Sequence, residues 1–399
     1  KKEFPIFKQK INGKPLIYLD SANSSQKPKV VIDRISHFYE TEFSNVGRSV
    51  HTLAVKATNS FEATRDKVQK YLNANHREEI IFTKGATEAI NLVASSYGKK
   101  YINKGDEILI TELEHHSNYV PWNFLRTEKG AVIKFAQVNE NGDIELDEIN
   151  KLITSKTKII AITHISNVTG AVLPITKIVD LAKEKKIPVL IDGTQGAPHS
   201  EIDMQKIGCD FYAISCHKMY GPNGLGLLYM KKKWVDDLPP YQGGGGMINE
   251  VKKDEISFAD AHTKFEAGTM QTAEVVAFAE SLNFIEKLGI KNIASHENEI
   301  LQYGLEILKK NNSINIIGDP KERGSVLCFT LKDIHPHDIA TILDDDGVAI
   351  RAGHHCCQIL HDKLGIPATA RASIGVYNDK EDIDKLSDAI KNCQKVFQN

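Results

Sequence analysis

The sequence predicts an α/β protein with a large domain built on a mostly parallel seven-stranded sheet and a smaller α+β C-terminal domain. Short apolar, β-branched runs bounded by polar or glycine-containing turns recur between residues 80 and 229. Helical periodicity stands between several of them, and strands alternating with helices point to βαβ crossovers and parallel pairing. After Gly243–Gly246 the pattern changes to long helical stretches with few strands.

Taken in order, a helix is expected over 30–40, behind an N-terminal segment that folds back onto one of the domains. Strands are expected at 80–83, 107–111, 131–136, 158–163, 188–192, 210–215 and 225–229, with helical patterns at 87–99, 146–153 and 175–186. Helices at 272–288 and 291–310 follow, then a strand at 325–331, a helix at 336–343 and an amphipathic C-terminal helix at 380–397. At 399 residues the chain is too long for one small core. The expected division is an N-terminal segment 1–25, a large domain 26–270 and a small domain 271–399.

A composition of 41% hydrophobic and 26% charged residues is that of an ordinary globular protein. A net charge of −2 gives no reason to expect nucleic-acid or membrane binding. The start of the chain, Lys1-Lys2-Glu3-Phe4-Pro5, has no apolar signal core, and no run approaches the roughly 18 apolar residues of a membrane span. A cytoplasmic protein is expected, with its six cysteines reduced, since they form neither a dense disulfide framework nor a C-x-x-C pair. The glycines 243–246 lack the flanks of a phosphate loop and read as a flexible or close-packed connector.

Lys218 follows the run Asp210-Phe-Tyr-Ala-Ile-Ser215-Cys216-His217 and precedes glycine-rich backbone, so it sits past a strand's carboxyl end. Ligands bind there in open α/β sheets, although a solvated connector lysine is the commoner case. Asp192 ends the apolar strand one step earlier, at 188–192. Alone it would suit a helix cap. Together, a lysine able to form a Schiff base and a carboxylate beside a ring nitrogen meet the needs of pyridoxal phosphate, whose protonated ring accepts electrons.

Around Thr83-Lys84-Gly85-Ala86-Thr87-Glu88, a strand, a turn and a helix start would offer backbone N–H groups at Ala86 and the Thr87 hydroxyl to a phosphate, completed by Ser215 and His217. Simple capping explains the same pattern. His115, in Glu114-His115-His116, suits stacking on a pyridine ring better than metal binding. Arg351-Ala-Gly-His354-His355-Cys356-Cys357 invites a zinc scaffold, but contiguous ligands are unusual for structural zinc. Otherwise it is a buried cysteine pair or a thiol poised in a glycine-flanked loop, with His and Arg favouring the thiolate. Arg371 begins a strand; it is a surface or ion-paired arginine, or a fork for a substrate carboxylate.

These segments, with Tyr18-Leu19-Asp20-Ser21-Ala22, Ser166-Asn167-Val168, Asp192-Gly193-Thr194-Gln195, Phe265-Glu266-Ala267-Gly268-Thr269 and Arg371-Ala372-Ser373, cover essentially the whole chain. In order and spacing they resemble the class V aminotransferase-like branch of fold-type I pyridoxal-phosphate enzymes, and within it the group II cysteine desulfurases of the SufS/CsdA type, which include selenocysteine lyases. The resemblance implies Lys218 as Schiff-base lysine, Asp192 as pyridinium partner, Gln195 near the phenolate oxygen and His115 as the stacking ring. It implies phosphate contacts from Ala86, Thr87, Ser215 and His217, with Thr269 reaching across from a second subunit. Asn167 and Arg371, with Arg351, would engage the carboxylate of L-cysteine or L-selenocysteine. Cys356 would take the sulfur as a persulfide, pass it to an acceptor protein of the SufE/SufU type and so supply iron–sulfur cluster assembly. A homodimer with shared active sites is implied as well. An aminotransferase or kynureninase-like lyase on the same scaffold would not need Cys356.

Some positions depart from the family pattern. Asn45-Val46-Gly47-Arg48 stands where Asn-x-His-Arg is usual, so that histidine is missing or replaced by His51. Cys357 stands where a small residue is usual and Ile359 where proline is common. A second thiol at Cys357 would be able to intercept a persulfide or form a disulfide with an acceptor.

Overall fold

A computed structural model describes every residue except Arg48 and Asn399. The strands of the large sheet are β1 (Ile80–Thr83), β2 (Glu107–Thr111), β3 (Val132–Ala136), β4 (Thr157–Thr163), β5 (Val189–Asp192), β6 (Phe211–Ser215) and β7 (Gly226–Met230). Their order is β1-β7-β6-β5-β4-β2-β3. All neighbours are parallel except β7, which runs antiparallel to both β1 and β6. Successive side chains point to opposite faces. Ile81, Ile110, Ala161, Leu190 and Phe211 therefore pack into one buried layer, and Phe82, Leu109, Ile162, Ile191 and Tyr212 into another. This two-sided burial explains the continuous apolar runs.

The helices that matter here are α1 (Lys29–Thr41), α2 (Thr52–Tyr71), α3 (Ala86–Tyr101), α4 (Val120–Lys129), α5 (Leu146–Leu152), α6 (Ile175–Glu184), α7 (Thr272–Leu288), α8 (Ile290–Lys309), α9 (Pro336–Asp345), α10 (Gln358–Leu364) and α11 (Lys380–Gln398). Three of them, α2, α4 and the seven-residue α10, are absent from the sequence-based expectation. The buried face of α2 carries Ala54 and Ala57 before Phe61, and Thr64 and Arg65 between Phe61 and Val68, so small, polar and charged residues break the apolar stripe that reveals a helix. Helix α4 is short and opens on Val120-Pro121, with proline in its first turn.

The second sheet is antiparallel, in the order β8-β9-β11-β10, where β8 is Ile314–Ile316, β9 Val326–Leu331, β10 Arg351–Gly353 and β11 Thr369–Ser373. The N-terminal segment joins this side of the molecule. Ile17–Tyr18 pairs parallel with Val348–Ala349, Asp20 bridges to Ser373, and Leu19 lies in the core with Leu327, Phe329 and Leu386. Gly243 and Gly245 have open space where a Cβ would stand, so the glycine run is not close-packed there.

The strand order fixes where a site can form. The chain leaves β2 toward β3 on one side and continues from β4 toward β5 and β6 on the other, so the order switches between β2 and β4. A crevice opens at the carboxyl ends of strands at such a point.

Candidate active site

At that switch point lies a cavity of about 230 Å³. Lys218, Asp192, Gln195, His115 and Cys356 stand on its walls, as do Asn167 and Arg351. Ala86, Thr87, Ser215 and His217 line it too and border a larger recess of about 1070 Å³. That recess contains neither Lys218 nor Asp192, so the smaller cavity is where the reactive groups meet. Of the expected site residues, Arg371 and Thr269 do not line it.

Lys218 closes a single 3-10 turn, Cys216–Lys218, directly after β6. Enclosure by protein lowers its ammonium to about 8, with the Arg371 charge adding to the effect and Asp192 opposing it. Asp192 ends β5 and is buried, which raises its carboxyl although Thr194 N–H donates to Oδ1 at 3.0 Å. A buried carboxylate beside a cavity calls for a cationic ligand group there, as a pyridinium nitrogen would be.

His115 follows β2. The backbone N–H of Ser117 donates to its Nδ1 at 3.1 Å, so the ring proton belongs on Nε2. Burial, reinforced by Lys218, pushes the imidazole down to about 3, and the ring is neutral. Beneath it, buried Glu114 accepts from Thr111 Oγ1 and Asn118 Nδ2 at 2.6 Å and from Thr163 N–H at 3.0 Å. Burial nevertheless pushes Glu114 up to about 8.

Helix α3 starts at Ala86 with no side chain capping Gly85. Ala86 N–H donates to Ser215 Oγ at 3.0 Å, Thr87 Oγ1 lies 2.8 Å from Ser117 Oγ, and His217 Nδ1 lies 3.1 Å from Ser24 Oγ. Gly226 allows this approach: a Cβ there would fall 2.4 Å from the Gly85 Cα. Small hydroxyls, an imidazole and a helix N-terminus so arranged suit a phosphate.

Cys356 sits between β10 and α10, half-buried. His355 and Cys356 both adopt left-handed backbone, with φ of 52° and 56°, a conformation that non-glycine residues keep only where surroundings enforce it. Three contacts enforce it. Cys356 C=O accepts from His116 N–H at 2.7 Å, His355 C=O from Asn167 Nδ2 at 2.7 Å, and the His355 Nε2 lies 2.9 Å from Thr369 Oγ1. An Arg351 N–H points at Cys356 Sγ from 3.7 Å.

The structure corrects the readings of Cys357 and of a zinc scaffold, and places the remaining expected residues. Cys357 is not a second poised thiol: it is buried, its Sγ donates to Leu113 C=O at 3.4 Å, and burial pushes its thiol up. The zinc scaffold fails on geometry, because no cluster of three or more His, Cys, Asp or Glu among the described residues converges on one point. The amides of Asn167 and Gln195 are committed to protein, the latter to Ala22 C=O at 2.7 Å. Arg371 is fully buried behind the cavity wall, its fork on Asn167 C=O and Asp20 Oδ1, both at 3.2 Å. Its buried Nε has no partner among the described residues, which leaves one N–H for an anion. Thr269 is exposed on a neighbouring recess beside Lys84 and Glu88. His51 caps α2 and does not line the cavity; Arg48 lies outside the described residues.

Sequence reasoning missed the residues that hold the expected ones. Asp20 pairs with Arg371, and Asn23 Oδ1 accepts from Arg351 at 2.9 Å. The one signal available was Asp20 itself, a carboxylate directly after the apolar run Ile17-Tyr18-Leu19. As a set, the cavity residues fit pyridoxal phosphate: carboxylate for the ring nitrogen, neutral imidazole for its face, donors for its phosphate, and a lysine of lowered proton affinity.

Comparison with known proteins places the whole chain. Residues 17–386 match the aminotransferase class-V family. A probable cysteine desulfurase of Staphylococcus epidermidis is 47% identical over 99% of this chain and 96% of its own length. One of Halalkalibacterium halodurans is 44% identical over 100% and 98%. The crystal structure of the Escherichia coli cysteine desulfurase CsdA superimposes with a TM-score of 0.92 at 34% identity, covering 99% of this chain and 97% of that one.

Proposed function

Because this chain belongs to the aminotransferase class-V family and is a pyridoxal-phosphate-dependent cysteine desulfurase, we propose that Lys218, Asp192 and His115 form its cofactor site and that Cys356 takes the sulfur. The observation that carries this reading is the meeting of all four in one cavity. Bound pyridoxal phosphate supplies an electron sink for bonds at the substrate Cα. Asp192 would hold the charge that keeps its ring nitrogen protonated, His115 would cover a ring face, Ala86, Thr87, Ser215 and His217 would hold its phosphate, and Gln195 would serve its phenolate oxygen.

Arg371 attracts the carboxylate of L-cysteine, through Nε and by exchange with Asp20, while Arg351 and Asn167 lie on the cavity wall. Lys218, with proton affinity near neutrality, takes the Cα proton. The Cys356 sulfur then attacks the substrate sulfur: an S–S bond forms, the substrate C–S bond breaks, and its electron pair stays with the three-carbon fragment. Two protons then return to that fragment, the one Lys218 took from Cα and the one given up by the Cys356 thiol, which gives L-alanine and leaves a persulfide on Cys356. L-Selenocysteine has the same geometry and is a second substrate of the proposal.

The sulfur goes to an acceptor protein of the SufE/SufU type for iron–sulfur cluster assembly, in the cytoplasm, from a homodimer in which Thr269 serves the neighbouring site. Among the described residues no helix is long and apolar enough to cross a membrane. A division at 1–25, 26–270 and 271–399 is part of the proposal, supported by the large sheet lying within residues 80–230 and the small one within 314–373. The test is to assay alanine and sulfide from L-cysteine with reductant present, and to record the visible cofactor band. Cys356→Ala is expected to lose desulfuration and keep the band, and Lys218→Ala to lose both. Full alanine production by Cys356→Ala would make the chain some other class V enzyme.

A further inference from the structure

The carbonyl that joins His217 to Lys218 is gripped from the N-terminal segment. Its oxygen accepts from Ser25 N–H at 3.1 Å, from Ser25 Oγ at 3.0 Å, from Lys27 Nζ at 2.8 Å and, more distantly, from Ser24 Oγ at 3.4 Å. A carbonyl has two lone pairs, so four donors around one oxygen crowd it and leave the peptide plane little freedom. That plane sets the directions of two side chains at once, His217 toward the phosphate end and Lys218 toward the ring end of the cavity. Ser25 Oγ in turn accepts from Tyr220 N–H at 2.8 Å, so the same serine holds the chain on both sides of Lys218.

Tyr220 itself has a φ of 60°, a left-handed position for a bulky residue. The turn that carries Lys218 is therefore not relaxed by its own sequence and needs an external hold.

Lys27 supplies the charged part of that hold. Its ammonium donates to Ser25 C=O and His217 C=O and lies 3.5 Å from Ser24 Oγ. Among the described residues no carboxylate pairs with it, and burial lowers it to about 7. An enclosed cation held by carbonyls alone is costly. An uncharged packing residue would fill the space without that cost.

Ser24 joins the same cluster: its Oγ donates to the His217 C=O at 3.4 Å and lies 3.1 Å from the His217 Nδ1.

We propose that Lys27, with Ser24 and Ser25, is the positioning residue of this enzyme's lysine turn: it orients Lys218 and His217, and so governs how tightly the cofactor is held. The inference rests on the reading of Lys218 as the cofactor lysine. Lys27 does not line the cavity, so its effect is on placement.

The experiment uses holoenzyme of wild type, Lys27→Met, Lys27→Arg, Ser25→Ala and Lys218→Ala. Cofactor dissociation is followed by loss of the visible band on dilution with a carbonyl scavenger, alongside kcat and KM for L-cysteine and thermal unfolding. Losing one charge-assisted hydrogen bond predicts dissociation faster by about tenfold for Lys27→Met, and a fall in kcat of similar size, with KM held within about twofold. Lys27→Arg should recover part of the retention, and Ser25→Ala should move in the same direction as Lys27→Met.

Wild-type dissociation and kcat in Lys27→Met would overturn the inference. So would a loss that tracks thermal unfolding and is not relieved by Lys27→Arg. If Lys27→Met does not fold, Ser25→Ala decides: wild-type retention there overturns the clamp. Failure of the underlying reading looks different, since Lys218→Ala would then keep the visible band.

Discussion

Lys218 and Cys356 are prepared for opposite tasks, and their surroundings give each a measurable signature. An ordinary lysine is neutral in about one copy in 2,500 at pH 7, whereas one lowered to about 8 is neutral in about one in ten. Only the neutral amine captures a carbonyl cofactor. Cofactor-free protein is therefore expected to take up pyridoxal phosphate at a rate that climbs about tenfold per pH unit below neutrality and levels off above about 8. Stopped-flow absorbance measures it; a rise continuing to pH 10 would show an unshifted lysine. Stability linkage has the matching sign: the unfolded chain keeps this proton up to about 10.4 and the folded chain loses it near 8, so the Lys218 contribution rises with pH across that window. Cys356 is the one cysteine that is not buried. A thiol reagent acting on native protein should modify Cys356 first, which peptide mapping reads, and Cys357→Ala should leave that rate unchanged. Fast labelling of Cys357 would contradict its burial against Leu113.

Helix α2 shows where elements and sequence pattern part company. It is docked by buried Arg65, whose fork meets Glu266 at 2.8 and 2.9 Å, whose NH1 also reaches Ile80 C=O, and whose guanidinium lies 4.5 Å from the Phe82 ring centroid. A residue read as surface-loving thus occupies the core face, and the helix is invisible to apolar periodicity. Arg65→Met strands Glu266 and is expected to destabilise the protein by about 3–5 kcal/mol, seen as a lower midpoint in urea. The strands were legible to within about a residue because both faces of the large sheet are buried. Lys218 and Asp192 stood out because each follows or ends such a strand, and Cys356 because it lies in a His/Cys run behind a glycine. Asp20, Glu114 and Lys27 were not, since the atoms they hold lie on elements joined only in three dimensions, 351 residues apart for Asp20 and Arg371. Glu114 ties the ends of β2 and β4 to the turn bearing His115. Glu114→Ala leaves three donors without their acceptor, so about 3 kcal/mol of stability should be lost, together with kcat, as the imidazole loosens.

The cavity belongs to no single part of the molecule. Lys218 and Asp192 come from the large sheet, Arg351 and Cys356 from the segment around β10, and Asn23 from the N-terminal strap. The parts are joined by Arg371 to Asp20, Arg351 to Asn23, Asn167 to His355 C=O and His116 N–H to Cys356 C=O. These contacts are polar and directional, so separating the two sheets leaves several buried partners unpaired at once. A ligand held by walls from both sides binds only the assembled arrangement and stabilises it by mass action. At a free cofactor concentration of 100 times its Kd the gain is about 2.7 kcal/mol. Removing the cofactor is therefore expected to lower the thermal midpoint by a few degrees while the transition stays single. Lys218→Ala should lose most of that increment, because the covalent hold is gone, whereas Cys356→Ala should keep it, because the sulfur sits on the wall without holding the ring. Scanning calorimetry with and without cofactor distinguishes the cases. A two-step unfolding curve in which cofactor moves only one step would mean that the sheets unfold separately, and that the polar joints across the cavity do not couple them.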